Sequence, residues 1–190
     1  GNVAYGILVH RGCKNIVLRD CEAQGFNYAG FGVGHNGDYY PTNLNYPDNE
    51  NIIFDNCYVH DCYDAGFHLM AVDGVRLINC RAENIGHYDA QITDTYNDPG
   101  YGVTCRSTIY SKAKNVIVSK SYFVNCVRKG IDSHTVEYLN ISDNNIKECW
   151  AGGIEVTWSG VNVPSTHVII SRNQLFNSGL KDGAIFYSGN

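Results

Sequence analysis

Apolar residues in this chain recur in short alternating runs, and a glycine introduces each run. Seven such starts are visible: Gly6-Ile7-Leu8-Val9, Gly30-Phe31-Gly32-Val33, Gly66-Phe67-His68-Leu69, Gly102-Val103-Thr104-Cys105, Gly130-Ile131-Asp132-Ser133, Gly153-Ile154-Glu155-Val156 and Gly183-Ala184-Ile185-Phe186. A unit of about two dozen residues that returns this often is a stacked repeat, with the surplus between units placed in loops. No segment keeps a 3.6-residue apolar period for the length a helix needs, so the repeat is built from strands.

A second landmark, usually Asn, sharpens the unit. The segments starting at Asn15, Asn51, Gly74, Asn115, Tyr138 and His167 superimpose without gaps. Their columns read Ile16, Ile52, Val75, Val116, Leu139, Val168, then Leu18, Phe54, Leu77, Val118, Ile141, Ile170, then Ala23, Val59, Ala82, Phe123, Ile146, Leu175. Two columns spaced by two residues place an inward pair on one strand face of every coil. Gly, Asn and Asp at the intervening corners supply turn chemistry. The fold expected is all-β: a right-handed parallel β-helix of about seven coils, one domain over 1–190, read as a segment of a longer helix. Loop excursions are expected near 34–50 and 86–101.

Eight cysteines could suggest bridges or a metal. Their columns argue otherwise, since Cys21, Cys57 and Cys80 continue into Ser121, Asn144 and Asn173, and Cys62, Cys126 and Cys149 alternate with Phe26, Ile85 and Ser178. We expect small interior fillers, with no metal, no cofactor and synthesis in a reducing cytosol. A net charge of −5 without a basic run excludes a nucleic-acid groove, and no stretch is long and apolar enough for a membrane span.

Candidate chemistry lies on the outward positions of the glycine-led strands. One column runs Leu8, Gly32, His68, Thr104, Asp132, Glu155, Ile185; the next includes Met70, Arg106, His134 and Thr157. Neighbouring coils therefore gather His68, Arg106, Asp132, His134 and Glu155. Carboxylates one rung apart would lie about 5 Å from each other, a separation suited to retaining glycosidases, and one would have a raised pKa. The catalytic residues expected are Asp132, His134 and Glu155. Tyr39, Tyr40, Tyr101 and Trp158, in or beside the loops, are expected to stack on sugar rings with His68 and Arg106 as further substrate contacts.

The coils resemble the pectate-lyase-type right-handed parallel β-helix superfamily. The strand Gly130-Ile131-Asp132-Ser133-His134 is similar to the Tyr-Gly-Phe-Asp-Pro-His motif of mannuronan epimerases, with Lys129 in place of Tyr and Ser133 in place of Pro. The irregular coils, the Asp-x-His turn and the free-thiol cysteine usage resemble bacteriophage tailspikes and depolymerases more closely. This resemblance implies a polysaccharide-binding and polysaccharide-cleaving protein, a glycoside hydrolase or lyase, on a virion tail or outside the cell. Its partner would be bacterial capsule, lipopolysaccharide or uronan. A uronan epimerase and a non-catalytic glycan-binding spike are the alternatives. A homotrimer is also implied, for which the outward aliphatic column Val17, Ile53, Arg76, Ile117, Asn140, Ile169 is the expected contact face.

Overall fold

The computed structural model describes residues 4–10, 12–34, 49–86, 99–108, 111–157, 164–179 and 185–187. Every described strand falls into one of three parallel sheets, so each coil visits three faces before returning. Sheet A holds β1 (Tyr5–Val9), β4 (Ala29–Val33), β7 (Ala65–Met70), β10 (Tyr101–Arg106), β13 (Lys129–His134), β16 (Gly152–Thr157) and β19 (Ile185–Tyr187). Sheet B holds β2 (Lys14–Arg19), β5 (Asn49–Asp55), β8 (Val72–Ile78), β11 (Ala113–Ser119), β14 (Val136–Ser142) and β17 (Thr166–Ser171). Sheet C holds β3 (Glu22–Gln24), β6 (Tyr58–His60), β9 (Arg81–Ile85), β12 (Tyr122–Cys126), β15 (Asn145–Lys147) and β18 (Gln174–Phe176).

Register follows the apolar columns. Val75, Val116, Leu139 and Val168 align across sheet B, and Ala82, Phe123, Ile146 and Leu175 align across sheet C. Because strand side chains alternate faces, a one-residue slip would turn these rows outward, and their burial pins the stacking. Phe31, Phe54 and Phe67 form the aromatic centre, fully buried, with Phe54 5.8 Å from Phe31 and 5.5 Å from Phe67. The last strand departs from expectation. Ile185, not Ala184, pairs with Ile154, and Phe186 pairs with Glu155, so the outward column expected to end on Ile185 is shifted by one residue there.

Corners explain both landmarks. Asn15, Asn51, Asn115, Tyr138 and His167 all have φ between 55° and 60°, and Gly74 occupies the same column at 79°. This left-handed kink suits Asn and Gly, and Asn51 also donates to Asn15 Oδ1 at 2.8 Å. The glycines near the start of β1, β4, β7, β10 and β13 have a different cause. A Cβ on Gly102 would lie 2.5 Å from the Gly130 carbonyl oxygen and 2.6 Å from Phe123 Cδ1, where the chain passes closest to sheet C.

The Cys, Ser and Asn column is more than filler. Ser121 Oγ accepts from the Cys80 amide at 3.1 Å, Asn144 Oδ1 from the Ser121 amide at 3.0 Å, and Asn173 Oδ1 from the Asn144 amide at 3.0 Å. Cys57 donates its thiol to the Leu18 carbonyl at 3.3 Å. The column satisfies backbone groups that the B-to-C corner leaves unpaired, which is why polar and sulfur side chains interchange in it. All eight cysteines are free thiols.

Candidate functional site

Sheet A brings Arg106, Thr104, Asp132 and His134 into one register block, since Thr104 pairs with Asp132 and Arg106 with His134. Asp132 sits at its centre. Thr104 Oγ1 donates to Asp132 Oδ2 at 3.1 Å, and His134 Nε2 lies 2.8 Å from the same oxygen. An acceptor-only carboxylate at that distance places the imidazole proton on Nε2. The ring's other nitrogen, Nδ1, is enclosed without a hydrogen-bond partner.

These outward positions are not a solvated face. Asp132 and His68 are each 2% exposed, and Thr104, Lys129 and Met70 are also buried. Charge burial in such a place requires partners, and partners are present. His68, in the same column as Thr104 and Asp132, contacts Tyr28 OH through Nε2 at 3.1 Å and Tyr5 OH through Nδ1 at 3.4 Å. Arg106 Nε approaches Met70 Sδ at 3.1 Å, and the Arg128 guanidinium lies 5.0 Å over the Tyr101 ring.

Glu155 follows Asp132 in register on the next strand. Its carboxylate is held by Lys129 Nζ, and both side chains are largely buried. The expected pair of neighbouring carboxylates is therefore two separately engaged groups, Asp132 with Thr104 and His134, and Glu155 with Lys129. Asp64 carries an upward-shifted carboxyl. Burial pushes it up to about 6, the Arg106 and Arg128 charges pull against that, and Asp132 adds to it. Burial, then Asp132, likewise raises the Tyr101 phenol, so Tyr101 keeps its proton at neutral pH.

Asp132, His134, Arg106 and Tyr101 thus form one electrostatic neighbourhood, His68 closes its far end, and Glu155 adjoins it through its own ion pair. Tyr39, Tyr40 and Trp158 lie outside the described residues, as does most of both expected loop excursions. Sequence reasoning missed Tyr28, Asp64, Arg128 and Lys129. They occupy the two positions before each sheet A glycine, and reading those columns (Tyr28-Ala29, Asp64-Ala65, Gly100-Tyr101, Arg128-Lys129) as it read the later ones would have found them. Among the described residues, no group of three or more His, Cys, Asp or Glu side chains is placed to hold a metal ion.

A family model described as "Right handed beta helix region" matches residues 1–175. Searches of curated proteins and of solved structures returned no match.

Proposed function

The chain belongs to the right-handed β-helix family, and on that premise we propose that the outer face of sheet A cleaves a uronate-containing polysaccharide by proton transfer at His134. The observation that carries this reading is the Asp132–His134 pair: a buried carboxylate fixes Nε2–H at 2.8 Å and leaves Nδ1 as an enclosed lone pair with no partner. An orphaned buried acceptor beside an oriented carboxylate is the arrangement of a general base. Family membership adds a supporting prior, since the family includes polysaccharide-active enzymes.

In this reading Nδ1 takes the proton from the carbon next to the uronate carboxyl group. The electron pair left behind forms a carbon–carbon double bond as the neighbouring glycosidic carbon–oxygen bond breaks. Tyr101, kept protonated, gives its proton to the departing sugar oxygen. Arg106 and Arg128 offset the charge that builds on the carboxylate, the electrostatic contribution that a low-dielectric recess makes large. Asp132 acts through His134, holding the tautomer and stabilising the imidazolium.

Asp64 favours a second reading. A carboxyl group raised to about 6, with Asp132 among the groups that raise it, fits the general acid of a glycoside hydrolase, with Asp64 in that role. The two differ in product. Incubation with capsular, lipopolysaccharide-derived and alginate-type polysaccharides should give shortened chains with the ultraviolet absorbance of an unsaturated uronate end. New reducing ends without that absorbance would move the assignment to hydrolysis, and unshortened chains across the panel would remove cleavage altogether.

A further inference from the structure

A groove of about 720 Å³ runs along the outer face of sheet B and is lined by Arg76, Ile117, Tyr138, Asn140, His167 and Ile169 among others. Three features of it are unexplained by the needs of the fold. The first is the choice of side chain. Tyr138 and His167 adopt φ of 60° and 56° in a corner column that other coils fill with Asn or Gly, the residues for which that conformation is cheapest. The corner itself belongs to the fold, since Lys120, Glu148 and Arg172 adopt the same conformation elsewhere, so it is the aromatic pair that the corner does not account for. Their rings stack face to face at 4.4 Å and 19°, and both side chains are exposed, so the stacked pair offers aromatic surface to the groove that it lines.

The second is Asn140. In register between Ile117 and Ile169, its Oδ1 is enclosed with no hydrogen-bond partner, an acceptor set in an aliphatic strip. A purely apolar occupant would leave it unsatisfied, whereas a hydroxyl-bearing one would not. The third is Arg76, an exposed cation two strand spacings from the strand of Tyr138, about 9.6 Å along the helix. Gly74, beside it, interrupts the corner ladder, and a Cβ placed there would meet nothing nearer than the Asn51 amide nitrogen at 3.5 Å.

We propose that this groove is a second, non-catalytic site for an acidic oligosaccharide. A pyranose ring packs against the stacked Tyr138 and His167 pair, a sugar hydroxyl donates to Asn140 Oδ1, and a uronate carboxylate meets Arg76. The groove lining named here carries no carboxylate, so the site binds without cleaving. Its effect is to hold a polymer along one side of the helix while sheet A works on another stretch. The ligand class is shared with the function proposed for sheet A, and the test separates the two.

Calorimetric titration of the Asp132→Asn protein with a mannuronic acid tetramer, and with a mannose tetramer as neutral control, measures binding without turnover, and the part of it that depends on Tyr138 belongs to the groove. Adding Tyr138→Asn should weaken uronate binding about ten-fold or more, the scale of one aromatic contact, while the melting temperature stays level or rises, because Asn suits the kink. Adding Arg76→Gln should remove the preference for the acidic tetramer. Unchanged affinity in Tyr138→Asn overturns the site, and a clear fall in melting temperature there makes the stack structural. Light scattering that shows an oligomer, dissociated by Ile117→Lys, with no tetramer bound, assigns the face to a second copy instead. Turnover lost in Asp132→Asn with Tyr138→Asn binding normally would overturn the groove alone. Tetramer binding that depends on Tyr138 in a parent without turnover would overturn the sheet A reading alone.

Discussion

Two histidine–carboxylate clusters stand on different faces of this helix, built from the same residue types and differing mainly in burial. On sheet C, His60 Nδ1 lies 2.7 Å from Asp61 and Nε2 3.0 Å from Glu22, while Asn84 and Gln24 also bond Asp61. Both ring nitrogens are occupied, and both carboxylates are about half exposed or more. On sheet A, Asp132 is almost wholly buried, and His134 has one nitrogen engaged and the other enclosed without a partner. Burial alone would lower the His60 pKa, yet the hydrogen bonds that its ring donates to Asp61 and Glu22 outweigh it and raise it. A saturated, wet cluster spends its donors on the ladder; the buried one, with an unsatisfied nitrogen, is the one we propose for a substrate.

The largest separation between the two should be in turnover. His134→Gln is expected to lower polysaccharide cleavage by about 10²- to 10⁴-fold, the range of a general base, and His60→Gln to leave it unchanged. Comparable losses in both would erase the distinction. Next in size is the ion pair that adjoins the sheet A cluster. Lys129→Met strands the Glu155 carboxylate in a buried position and should destabilise by about 3–5 kcal/mol, with most of that recovered in Lys129→Met combined with Glu155→Gln. Equal urea midpoints for the single and double variants would mean Glu155 finds water.

Asp64 gives the comparison a pH axis. Its folded pKa of about 6 lies above the ordinary 3.8, so the fold opposes its ionisation. The stability is fully present below about pH 4 and is lost as pH rises through 6, by roughly 3 kcal/mol. Asp64→Asn should flatten that fall in a pH series of unfolding midpoints, and a slope identical to the parent's would show that Asp64 is solvated. His60 runs on the opposite kind of group with the same sign: a raised histidine contributes below its unfolded value and fades as pH rises through the folded one. Because its carboxylate partners are exposed, His60→Gln should cost about 1 kcal/mol or less at pH 5. A larger loss would place sheet C among the structural cores.

Legibility in the sequence followed the same divide. Columns such as Ala82, Phe123 and Ile146 were readable because burial forces every rung to repeat a residue class, and their register is observed. The block of Arg106, Asp132 and His134 was readable for a related reason, since it lies within those repeating strands. Burial of the outward face was not, because alternation tells in from out and says nothing of what covers the outside. Lys129 and Glu155 are three residues out of register on adjacent strands, so column reading separates two side chains that meet. Asp64 and Arg128 sit at the bends two residues before the sheet A glycines, a column outside the alternating strand positions that were read. At β19 the register slipped by one, and there too no apolar column continued far enough to fix it.

The central claim is that Asp132 acts through His134, and a double-mutant cycle on cleavage rate tests it most directly. Asp132→Asn, His134→Gln and the double variant should all be slow, with the double no slower than the worse single, since removing a unit twice costs no more than removing it once. Losses that multiply, or an Asp132→Asn protein that turns over like the parent, would contradict the account.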